Sequence, residues 1–170
     1  MTRLRKWNPL PLRSSEPSSP ERAYLYALRL LTARDYTVAR LQEKLRGRGF
    51  ADPDVETALG RMVTEGWVDD RRFAERFAEG ALASGRYYGP RLRQEMRRRG
   101  LPPELVGEVL GRVLGERDET AEVCAIVERR FSGFSFSSAS DREKRRTVGF
   151  LQRRGFSLCA IMRALRATGQ

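Results

Sequence analysis

Apolar positions in this chain recur at helical spacing, and no stretch alternates in the manner of a strand. Val55, Leu59 and Met62 stand at i, i+4 and i+7, and Val106, Leu110 and Val113 repeat that spacing, so each set shares one helical face. Apolar, alanine-containing stretches predict helices over residues 23–33, 70–83 and 119–130. Each is followed by a second helix with a basic end, over 37–48, 90–99 and 141–154. These second helices stop at a glycine followed by an apolar residue: Gly49-Phe50, Gly100-Leu101 and Gly155-Phe156. Glycine supplies the left-handed residue that closes a helix, the next side chain packs back on it, and arginines before it complement the helix dipole. A third helix then starts at Asp52-Pro53 (cap and first position), at Pro102-Pro103 and at Ser157.

The glycine stops lie 51 and 55 residues apart, and the flanking apolar positions superimpose at the same offsets. A period near fifty residues implies repeated supersecondary units that share interfaces. The fold class expected is all-α, with three tandem three-helix repeats over 21–68, 69–118 and 119–170 forming an elongated, curved body. Residues 1–20 hold four of the eight prolines, several serines and a net charge of +3, and read as a flexible basic tail.

Composition narrows the function. The 170 residues contain no histidine and two cysteines, which removes Ser-His-Asp and Cys-His catalysis and a tetrahedral zinc site. No apolar run approaches a membrane span. These features point to a soluble cytoplasmic protein that is not an enzyme and has no metal or cofactor. With 33 basic and 22 acidic residues the chain carries +11, which favours an anionic partner. The excess is uneven: residues 119–170 carry +5, whereas 21–66 and 67–118 carry +1 and +2.

The candidate partner- or nucleic-acid-binding residues are therefore arginines and one lysine. Arg97, Arg98 and Arg99 form the densest basic run, with Arg91 and Arg93 before them; neighbours on a helix point about 100° apart, so the three fan outward. Arg142, Lys144, Arg145, Arg146, Arg153 and Arg154 crowd one helix of the third repeat. Arg46 and Arg48 have acidic neighbours and read as a solvated helix end. Asp69-Asp70 reads as a helix cap with Trp67 or Val68 as its apolar staple, rather than as acid–base chemistry. Phe73 and Phe77 are expected in the core, as are Cys124 and Cys159. Of Tyr87 and Tyr88, one is expected to pack; the other is open to stacking on bases or wedging between units. The loop 132–140, with Phe134 and Phe136, is expected to be mobile or docked through its rings.

The three-unit layout, the junction Val68-Asp69-Asp70-Arg71-Arg72-Phe73-Ala74, the segment Tyr88-Gly89-Pro90-Arg91-Leu92-Arg93-Gln94-Glu95-Met96 and the closing Arg153-Arg154-Gly155-Phe156-Ser157 resemble the RecX family of recombination regulators. The likeness covers about residues 23–168. It departs from the family at Arg99, where a lysine is usual, and the basic tail is not part of the pattern. The resemblance implies a protein that binds RecA and the RecA filament on single-stranded DNA; a monomer is expected, with a possible weak direct DNA contact and none with membranes. It also implies a place in the filament groove spanning neighbouring subunits, where the protein blocks extension and lowers ATP hydrolysis, strand exchange and co-protease activity. The competing expectation from the residues alone is a helical protein that binds DNA directly, since three-helix units resemble helix-turn-helix folds in outline.

Overall fold

The structure, a computed structural model, describes residues 18–167. Among them run nine helices and no strand: α1 (Pro20–Leu31), α2 (Val38–Arg48), α3 (Asp52–Thr64), α4 (Asp70–Ala83), α5 (Gly89–Arg97), α6 (Pro103–Leu114), α7 (Glu119–Arg130), α8 (Asp141–Arg154) and α9 (Leu158–Ala167). The protein is all-α, as the periodicity predicts. The tail basics Arg3, Arg5, Lys6 and Arg13 lie outside the described residues. The chain divides into two compact units, one ending at Asp70 and one comprising Arg71–Gln170.

In the first unit, α1, α2 and α3 close over a core that includes Ala23, Ala27, Leu41, Leu45, Val55 and Met62, all buried. Fully burying a leucine-sized side chain contributes about 1.5–3 kcal/mol. α1 begins at Pro20, earlier than the apolar period predicts, because Ser19 caps it by accepting the Arg22 amide at 3.3 Å. Thr37 caps α2 through the Arg40 amide at 3.2 Å. The Val38 amide donates to Asp70 at 2.9 Å, so Asp70 supports the start of α2 as well as opening α4. Val68 is buried and Trp67 exposed, which makes Val68 the apolar anchor of this junction. Asp52, expected as the cap of α3, is its first residue, and its carboxylate takes the Arg46 guanidinium at 2.7 Å; Ala51 stands at the cap position.

The second unit packs α4 through α9 around one core that includes Ala78, Leu92, Met96, Val106, Leu110, Leu151, Ile161 and Leu165. Arg71 forks onto Glu108 with two bonds of 2.8 Å, and Arg112 reaches Glu75 at 2.5 Å, so ion pairs tie α4 to α6 along their exposed side. A capping box opens α8: the Ser140 hydroxyl accepts the Glu143 amide and the Glu143 carboxylate accepts the Ser140 amide. Ser157 caps α9 by accepting the Ala160 amide at 3.2 Å. Phe73 and Phe77 are half-buried at the core margin, stacked at 6.2 Å, rather than inside it. Cys124 is half-buried, but Cys159 is exposed, because the buried stripe of α9 is Ala160, Ile161, Ala164 and Leu165 and Cys159 falls off it. The 132–140 loop docks through Phe134 and Phe136, which pack against the core.

Candidate partner interface

α2 and α8 end as their sequences predict. Gly49 and Gly155 adopt φ of 97° and 102°, and the amides of Phe50 and Phe156 close on the carbonyls of Leu45 and Leu151 at 3.3 Å. The α5 end differs. Regular helix stops at Arg97, and the amides of Arg99 and Gly100 bond three residues back, to Met96 and Arg97, before Gly100 turns at φ 81°.

The run does not act as one patch. Glu95, only 6 % exposed, sits at its base and collects three arginines. Arg91 approaches at 2.9 Å, Arg99 at 3.0 Å and Arg98 at 3.5 Å. Arg99 also donates to the Glu95 carbonyl at 2.6 Å and lies over the Phe77 ring at 4.1 Å. Burial pushes the Glu95 carboxyl upward, but the Arg99 hydrogen bond and the charges of Arg91, Arg98 and Arg99 outweigh it and hold it below the ordinary carboxylate range. Glu95 was not singled out from sequence; the signal is its place four residues after Arg91 and three and four before Arg98 and Arg99. Arg93 and Arg97 are exposed and lie outside this cluster.

On α8, Arg142, Arg145, Arg146 and Arg153 are exposed, while Lys144 is half-buried with its ammonium 5.0 Å from the Phe136 ring centre. Arg154 is turned inward. It donates to the Gly85 carbonyl and lies over the Phe150 ring at 4.1 Å. Burial first, then the charges of Arg130, Arg129 and Arg86, push its pKa below the usual guanidinium range. This residue belongs to a joint between the end of α8 and the start of α5. There the Tyr88 amide donates to the Arg154 carbonyl at 2.8 Å, and Tyr88 stacks on Phe156 at 4.7 Å. Gly155 presses so closely on the α5 start that an added Cβ would lie 2.3 Å from the Tyr88 carbonyl oxygen. Tyr88 is therefore the packed tyrosine, and Tyr87 is half-buried against Phe77 at 6.4 Å.

The first unit carries a smaller basic site that no run of basic residues in the sequence marks. Arg22, Arg29 and Arg48 border a cleft of about 270 Å³ with Leu25, Tyr26 and Phe50, and Arg48 lies over the Tyr26 ring at 5.4 Å. Among the described residues no cluster of acidic, cysteine or histidine side chains could hold a metal, and no helix is long and apolar enough to cross a membrane.

Three-helix groups with exposed arginines on α5 and α8 place the chain in the class of all-α, three-helix-domain proteins. Residues 23–62 match the family model of the first three-helix domain of RecX, and residues 69–110 match that of the second. A regulatory protein RecX of Trichlorobacter lovleyi is 45 % identical over 139 residues, covering 82 % of this chain and 90 % of the relative. One from Thermus thermophilus is 39 % identical over 145 residues, covering 85 % and 90 %. The crystal structure of RecX from Lactobacillus salivarius shares the fold with a TM-score of 0.70 at 15 % identity, over 88 % of this chain and 96 % of that one. The chain belongs to the RecX family of regulatory proteins.

Proposed function

We propose that this protein regulates homologous recombination and DNA repair, including the SOS response, by binding RecA and the RecA–single-stranded-DNA filament in the cytoplasm. Its contacts are the exposed arginines of α5 and α8. Three successive three-helix groups, over 21–68, 69–118 and 119–170, let one molecule engage neighbouring subunits of the polymer, so that weak contacts add through effective concentration. Bound there, it blocks filament extension and lowers ATP hydrolysis, strand exchange and co-protease activity. Positive charge speeds its approach to a polyanionic filament.

The observation that carries this reading is the family match over residues 69–110, the segment that contains Arg91, Arg93 and Arg97 through Arg99. The test is RecA ATPase on single-stranded DNA with substoichiometric amounts of this protein. Inhibition well below one molecule per RecA is expected; an unchanged rate at equimolar protein contradicts the proposal. A second reading, direct contact with DNA, draws on the Arg22–Arg29–Arg48 cleft around Tyr26, which has the cations and ring that single strands use. It predicts binding to bare oligonucleotide that falls steeply with salt.

A further inference from the structure

Between α5 and α6 the second unit opens a groove of about 670 Å³. Pro90, Leu110 and Leu114 give it an aliphatic floor, and Arg93, Arg97 and Arg98 border it. Glu95 is committed to Arg91, Arg98 and Arg99, and Glu108 to Arg71. Arg93 and Arg97 thus bring exposed positive charge to the rim without an ion pair among the described residues. Gly89 and Pro90, at the N-terminus of α5, line the same groove.

We propose that this groove seats an acidic segment of a protein partner, with an aliphatic side chain on Pro90 and Leu114 and flanking carboxylates on Arg93 and Arg97. This deepens the filament reading and rests on it, by naming the recognition chemistry. An apolar anchor ringed by matched charge is how such grooves discriminate. Nucleic acid fits less well. No aromatic ring lines the groove, and the neighbouring tyrosines are engaged, Tyr88 with Phe156 and Tyr87 with Phe77, so bases have no stacking platform. The chain's own first 17 residues carry a net +3, the wrong sign to occupy it.

The test is fluorescence polarisation with a labelled peptide that carries leucines at helical spacing between glutamates. Its lysine-for-glutamate counterpart serves as control and an oligothymidylate as competitor. Saturable binding of the glutamate peptide is expected, none of the lysine peptide, and a loss of about tenfold in the doubly substituted Arg93→Glu/Arg97→Glu protein. Arg93→Ala/Arg97→Ala, which adds no new charge, should show a smaller loss in the same direction. No saturable binding overturns the proposal, as does binding indifferent to these substitutions. Displacement by oligothymidylate with the same sensitivity assigns the groove to nucleic acid and overturns it too. The same preparation is assayed for inhibition of RecA ATPase. Inhibition without peptide binding removes the groove assignment alone; peptide binding without inhibition removes the filament reading and keeps the groove.

Discussion

Glu95 divides the labour among the arginines around it. Arg99, paired with this buried carboxylate and stacked on Phe77, is part of the fold; Arg97, two residues earlier, faces solvent. Arg99→Glu should destabilise the second unit by about 2 kcal/mol, because it leaves like charges facing each other in a partly desolvated site. Arg97→Glu should stay within about 0.5 kcal/mol of the parent while weakening partner binding. Urea titration separates the two, and equal stabilities would contradict the assignment. Glu95 also sets a pH dependence. Its pKa is lowered on folding, so its stabilisation is present above the ordinary carboxylate range and is lost as pH falls through the depressed folded value. As pH falls below the ordinary carboxylate range, melting temperature should drop more in the parent than in Glu95→Gln; parallel curves would show that Glu95 sets no such dependence. The arginine run was legible in the sequence. Its partition was not, since spacing shows which side chains can meet and only burial shows which carboxylate draws them in.

Helix ends carry the next level of organisation. Gly155 combines a left-handed φ with backbone contact on α5, whereas Gly66 has a left-handed φ of 76° and open space where a Cβ would stand. Gly66→Ala should therefore cost about 1 kcal/mol, and Gly155→Ala about 3 kcal/mol, since it must also push α8 off Tyr88 and Arg91. Chemical denaturation checks the difference, and similar costs would mean the joint is loose. The helix stops could be read from the Gly-apolar pairs because that closure is local chemistry. Asp52 and Cys159 were misplaced from sequence for the complementary reason. The carboxylate of Asp52 is drawn to Arg46, and the face that Cys159 occupies is decided by what α9 packs against.

At the scale of the molecule, a repeat of about fifty residues announces three-helix groups but not which of them share a core. The second unit contains α5 through α9 with most of α4 because Tyr88, Arg154, Gly155 and Phe156 lock the α8 end onto the α5 start. Gly155-Phe156 is legible in the sequence as a helix stop, but its contact with Tyr88 at the start of α5 appears only in the structure. Charge alone cannot say whether a basic helical chain acts on DNA or on a protein polymer assembled upon it. The proposed partner is the polymer. The most direct measurement is fluorescence anisotropy of the labelled full chain, titrated with RecA–single-stranded-DNA filaments and with bare oligonucleotide across a range of salt. It predicts tighter binding to the filament at every salt, with a gap that widens as salt rises because bare-DNA binding decays through counterion release. Equal or tighter binding to the bare strand would contradict it.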